Sequence, residues 1–158
     1  MLTIQCLLLK QLQHFCETII KKAALKSADA KDKLFILENE LCDCAQVIVD
    51  IYSRYLFESR LIEKRQEGPL SVEEIKALML EAQKEAYGHG LDHRYLHPYM
   101  WTWKPHYYEA DYAFYNFPYA FGLLLAKGLY GLYQKQGATF ADTYEHFLSL
   151  TGKMSLER

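Results

Sequence analysis

The stretch KDKLFILENELCDCAQVIVDIYSRYLFESRLIEKR, residues 31–65, decides the fold. In it Leu34, Leu37, Leu41, Ala45, Ile48, Tyr52, Tyr55, Ser59 and Ile62 recur every three or four residues. That is the spacing of one face of a long helix. Gly68-Pro69 supplies its stop, because glycine permits a left-handed cap and proline cannot continue the hydrogen-bond ladder. Downstream, Ser71 and Glu74 have the spacing of a capping box, and Ile75, Leu78, Met79 and Ala82 form the apolar face of the helix it opens. That second helix is expected to end at Gly88 or Gly90.

Residues 91–106 break the pattern. His93, His97, Pro98, Trp101, Trp103, Pro105 and His106 crowd a stretch without clean periodicity, which reads as an ordered loop. From Tyr107 to about Tyr133 helix is expected again, kinked or interrupted at Pro118, with Gly128 and Gly131 allowing close helix packing. A last helix is expected over about Thr139–Leu150, with Gly152 beyond it as the stop. No segment alternates with period two and no internal repeat occurs. The expected fold is all-α, with about five helices.

Bulk properties narrow the function classes. A chain of 158 residues can bury a real core, and 51% hydrophobic with 24% charged residues is a globular composition. A net charge of -2 gives no electrostatic reason to expect nucleic acid or an anionic membrane. The apolar start, Met1 to Leu9, is far shorter than the roughly 18 residues of a membrane span. It also lacks the basic start and cleavage site of a signal peptide. Cysteines stand at 6, 16, 42 and 44, and on a helix Cys42 and Cys44 point to roughly opposite sides. Reduced thiols in a cytoplasmic protein are the expectation.

Two groups of residues invite a chemical reading. His89, His93 and His97 fall at i, i+4 and i+8, but Gly88, Gly90 and Pro98 argue against a helix there, and the pattern His-Glu-x-x-His is absent. Surface or loop histidines are expected instead. The aromatics are more informative: ten of thirteen tyrosines fall between Tyr87 and Tyr133, together with both tryptophans. Tyr112, Tyr115 and Tyr119 would share a face if the segment were helical. Buried tyrosyl hydroxyls need partners, and with a histidine they can bind peptide carbonyls or an oxyanion. On spacing alone, ordinary packing is favoured over a site.

The segment Ile51-Tyr52-Ser53-Arg54-Tyr55-Leu56-Phe57-Glu58 resembles a helix of the oligoendopeptidase F family of zinc metallopeptidases, and so does Glu81-Ala82-Gln83-Lys84-Glu85-Ala86-Tyr87-Gly88. More specific are His97-Pro98-Tyr99-Met100-Trp101, Lys104-Pro105-His106-Tyr107-Tyr108 and Phe114-Tyr115-Asn116-Phe117-Pro118-Tyr119-Ala120-Phe121-Gly122. Thr151-Gly152-Lys153-Met154 is similar to the family's end region, and the similarity covers roughly residues 15–158. The resemblance implies the C-terminal helical part of a zincin-type catalytic domain. In that family a zinc-bound water, activated by the glutamate of His-Glu-x-x-His, attacks an oligopeptide carbonyl. By position, His106 and Tyr115 would be the transition-state or substrate-side residues, with Tyr112 and Tyr119 binding substrate.

The departure lies in residues 1–14. Phe15-Cys16-Glu17-Thr18 matches a Ser-Thr-Phe-x-Glu-like run of the family, yet Leu9-Lys10-Gln11 stands where its Ala-Glu-Thr carries the third zinc ligand. No zinc ligand and no catalytic base remain, so this chain by itself is expected to hold no metal and to be inactive. The genetic code suggests a cause. Residues 9–14 can be encoded CTG AAA CAG CTT CAA CAT, and starting one nucleotide earlier, with a G, that string reads Ala-Glu-Thr-Ala-Ser-Thr. Leu2-Thr3-Ile4-Gln5-Cys6 can likewise be encoded so that the earlier frame reads Asp-Tyr-Pro-Met. Residues 1–14 then read as out-of-frame translation, with the frames rejoining at Phe15-Cys16. A helical half cut from a larger peptidase would expose apolar surface, so a homo-oligomer is expected. The alternative function is a non-catalytic module that binds peptide or protein.

Overall fold

The computed structural model describes the backbone of residues 4–150 and the side chains of residues 9–150. Among these residues there is no strand; the secondary structure is helix throughout. Six α-helices follow one another: α1 (Ile4–Ser27), α2 (Ala30–Ala45), α3 (Ile51–Arg65), α4 (Val72–Tyr87), α5 (Phe117–Gln136) and α6 (Phe140–Ser149). A π-helical turn, Gln46–Asp50, joins α2 to α3, so the expected long helix over 31–65 is a helical run with one widened turn. The Gly152 stop lies outside the described residues.

Two compact units divide the chain: Cys42–Phe117, and the remainder on either side of it. In the first unit α3 and α4 enclose Phe57, Leu78, Met79 and Ala82, with Met100, Trp101 and Tyr107 packed against that core. Ser71 caps α4 as its spacing requires. Its hydroxyl accepts from the Glu74 N–H at 3.3 Å, while the Glu74 carboxylate accepts from the Ser71 N–H at 2.8 Å. The helix closes at Gly88, whose φ of +52° is one that glycine adopts without a Cβ clash.

The second unit gathers Phe15 of α1, Ala126 of α5 and Phe140 of α6 into a smaller cluster, flanked by Leu129, Tyr130 and Tyr144. Glycine in α5 works at a different place from the one expected. Nothing approaches a Cβ built at Gly128 or Gly131, whereas one at Gly122 would lie 2.9 Å from the Lys10 Cβ and 3.0 Å from the Gln11 backbone. Lys10 thus packs against α5 at Gly122, where no side chain intervenes.

Two further expectations need correction. The helix expected from Tyr107 begins only at Phe117, and Pro118 occupies its first turn, where no N–H is required, instead of kinking an interior. The periodic face of residues 31–65 is also turned outward. Leu34, Leu37 and Leu41 in the second unit are exposed, as are Ile48, Tyr52, Tyr55 and Ile62 in the first. The buried face of α3 carries Ile51, Ser53, Phe57 and Glu58 instead, so a half-polar face won the core. Periodicity identifies a helix, but it cannot say which side meets a neighbour.

Candidate functional site

The irregular segment after α4 is ordered by polar groups, not by apolar periodicity. Four short 3-10 turns occupy it: His93–Tyr95, Met100–Trp103, Pro105–Tyr108 and Ala110–Tyr112. Gln83, buried on α4, pins its start. The side chain accepts from the His97 N–H at 3.0 Å and donates to the His97 carbonyl at 2.9 Å. Both bonds satisfy backbone groups that a loop would otherwise leave without a partner inside the chain.

Further on, Glu58 of α3 reaches the turn 113–116. Its carboxylate accepts from the Phe114 N–H at 2.7 Å, across 56 residues of sequence. Phe114 is the one non-glycine residue with positive φ among those described, at +56°. For a bulky residue that conformation costs about 1–3 kcal/mol. A charge-assisted bond from a buried carboxylate contributes a comparable ~1.5–3 kcal/mol, enough to hold it. Burial pushes the Glu58 carboxyl up from its ordinary value, and the Phe114 N–H pulls it the other way. The Phe114 ring also lies 5.5 Å from that of Tyr55.

Two residues beyond Phe114, the Asn116 amide nitrogen stands 3.0 Å from His106 Nε2. An amide NH2 only donates, so Nε2 is the acceptor and a neutral His106 carries its proton on Nδ1. Burial, then the charges of Arg54 and Lys104, hold the His106 pKa below that of a free imidazole. The ring is therefore a neutral donor at pH 7. Its centroid lies 5.7 Å from the Tyr115 ring, nearly parallel, and the Tyr115 ring meets that of Tyr112 edge-on at 5.6 Å.

Charge near this group is organised by Asp50, which is buried. Arg54 donates to its Oδ2, and the Tyr87 hydroxyl donates to its Oδ1 at 3.1 Å. Tyr87 is pushed up to about 12, by burial first and then by the Asp50 charge. Lys104 lies over the Trp103 ring at 3.5 Å, its pKa lowered by burial and by Arg54. Among the described residues, the buried Trp101 indole N–H and Tyr107 hydroxyl have no hydrogen-bond partner. The cleft lined by Arg54, Glu58, Phe114 and Asn116 encloses about 10 Å³, room for a single water. That is too small for a peptide.

The structure thus brings together three of the four residues expected at a site: His106, Tyr115 and Tyr112. The helix face expected for Tyr112, Tyr115 and Tyr119 does not form, because Tyr112 lies in a 3-10 turn and Tyr115 in the turn preceding α5. Tyr119 sits in α5 within the second unit, where the Lys10 ammonium lies 4.5 Å over its ring. Sequence reasoning missed Glu58 and Asn116 as structural partners of this group. A Glu on a helix and an Asn before a Pro-containing helix start carry no local signal of a bond made so far along the chain.

His89, His93 and His97 are exposed and follow the end of α4. His93 Nε2 lies 3.0 Å from the Gly88 carbonyl, and His97 Nδ1 accepts from the Tyr99 N–H at 3.2 Å. Among the described residues no three His, Cys, Asp or Glu side chains stand close enough to hold a metal ion. Among the described residues Cys16, Cys42 and Cys44 form no disulfide. No described helix is long and apolar enough to cross a membrane. No protein-family model, no curated protein and no solved structure matches the chain.

Proposed function

We propose that this chain is the C-terminal helical part of an oligoendopeptidase F-like zinc metallopeptidase, bearing one wall of an oligopeptide cleft and inactive by itself. The observation that carries the reading is the stacking of the His106 ring against Tyr115, with His106 Nε2 3.0 Å from the Asn116 amide nitrogen. A proton held on Nδ1 can be donated to a substrate carbonyl, and to the oxyanion that forms from it when a nucleophile attacks. Tyr112 extends the same wall; Tyr119 is assigned to substrate by resemblance alone. Zinc and the general base belong to the intact family, and the residues that would supply them are absent from this sequence.

The out-of-frame reading of residues 1–14 rests on the resemblance and the genetic code, with Lys10 standing where the family carries its ligand glutamate. Reduced cysteines fit a cytoplasmic location.

The alternative, a non-catalytic binding or assembly module, is favoured by the exposed apolar side chains of α2, Leu34 and Leu41 at 68% and 71% exposure among them. Surface of that kind promotes self-association, and a homo-oligomer is expected on either reading. Titration of short peptides against the fluorescence of Trp101 and Trp103 tests the cleft wall: a saturable change that is lost in H106A supports it, and no change refutes it. Stoichiometric zinc with peptide turnover would overturn the inactive reading. Coding DNA unable to yield Ala-Glu-Thr in the neighbouring frame would dispose of the frame shift. A monomer in light scattering would count against assembly.

A further inference from the structure

We infer that Glu58 is a positioning residue for His106, acting through the turn 113–116. The chain of contacts is short and each link is directional. Glu58 comes from α3, with Phe57 beside it in the core. Its carboxylate holds the Phe114 N–H at 2.7 Å while Phe114 stands at φ +56°, a conformation the turn would not keep unaided. Asn116 follows two residues later, and its amide meets His106 Nε2 at 3.0 Å. Release of Phe114 lets the backbone relax to negative φ, which swings the two residues after it and withdraws the Asn116 amide.

The consequence falls on the imidazole. With Asn116 in place Nε2 must accept, so the proton sits on Nδ1; without it the ring reverts toward the Nε2–H form that free imidazole favours. Glu58 therefore selects the tautomer of a residue it does not touch. Its own surroundings make it suited to that: Arg54 lines the same cleft from α3, and Tyr107 faces it from the turn Pro105–Tyr108. The use of the Nδ1 proton toward a peptide carbonyl rests on the function proposed above. The positioning does not.

Long-range 15N–1H NMR of the imidazoles in the full chain, without peptide, tests the inference. Wild-type His106 is expected to be neutral at pH 7.5 with its proton on Nδ1. In E58A the signal should shift to the Nε2–H pattern, while the methyl resonances of Leu78 and Met79 stay where they are. In the double variant E58A/F114G the Nδ1–H pattern should return, because glycine holds a positive φ without help. An unchanged Nδ1–H tautomer in folded E58A overturns the proposal, and so does a wild-type ring protonated on Nε2. Should E58A fail to fold, amide exchange in the wild type decides. Strong protection of the Phe114 N–H is expected, and exchange at the unprotected rate overturns it. Because no peptide is present, a chain that binds none refutes the proposed function and leaves this result standing.

Discussion

Two buried glutamines, one in each unit, show how differently the two halves of the chain use polar groups. Gln83 has both ends of its amide occupied by the His97 backbone, and a further bond runs to the Met79 carbonyl at 3.2 Å. Gln11 is as deeply buried but makes one side-chain bond, donating to the Tyr144 hydroxyl at 3.2 Å, and its carbonyl oxygen is unpaired. In the first unit a buried polar group organises a segment that has no periodicity of its own. In the second it is tolerated inside an aromatic cluster. The lesson is that burial alone does not mark a structural polar residue; the number of its long-range partners does.

The largest expected break of the comparison is in the apolar cores themselves. Phe57→Ala should cost about 3–5 kcal/mol, because the ring is fully enclosed by Leu78, Met79, Ala82 and the edge of Tyr107. Phe140→Ala should cost distinctly less, since its ring already borders an open cavity of about 290 Å³ with Phe15, Tyr133 and Tyr144. Urea denaturation measures both, and equal losses would mean the two cores are equally tight.

Next come the glutamines. Gln83→Leu should destabilise by roughly 2–3 kcal/mol, leaving the His97 N–H and carbonyl without their partner. Gln11→Leu should lie within about 1 kcal/mol of wild type, since it removes an unpaired carbonyl together with one hydrogen bond. A Gln11→Leu loss as large as that of Gln83→Leu would erase the distinction.

Smaller still is the titration of His106. Its folded-state pKa is depressed by burial, then by Arg54 and Lys104, so the unfolded chain binds the proton more readily. The stability linked to this group is therefore fully present above the unfolded pKa of about 6.5 and is lost as pH falls through the folded value. NMR titration should place the His106 midpoint below that of a free imidazole, and Arg54→Met should move it upward. An Arg54→Met midpoint identical to wild type would exclude the charge coupling.

The capping box at Ser71, the glycine stop at residue 88, the long helical run of 31–65 and the all-α class were legible along the chain. Each depends on residues within a few positions of one another, where backbone geometry and side-chain chemistry act directly. His106, Tyr115 and Tyr112 could be singled out as a group only through their concentration and resemblance, and the helix face expected for Tyr112, Tyr115 and Tyr119 does not form. The face of α3 that enters the core was also misjudged. Local periodicity weighs hydrophobicity alone, whereas Asp50, Ser53 and Glu58 are admitted to the interior as part of a face completed by Phe57. Long-range bonds, to Tyr87 for Asp50 and to Phe114 for Glu58, hold the two carboxylates there.

Sequence by itself therefore determined where helices start and stop, because caps and breakers are short-range matters. Tertiary structure decided which face was buried, how Phe114 keeps a left-handed backbone and which side chain meets His106 Nε2. Those outcomes depend on partners 10 to 56 residues apart, whose meeting only the folded chain arranges.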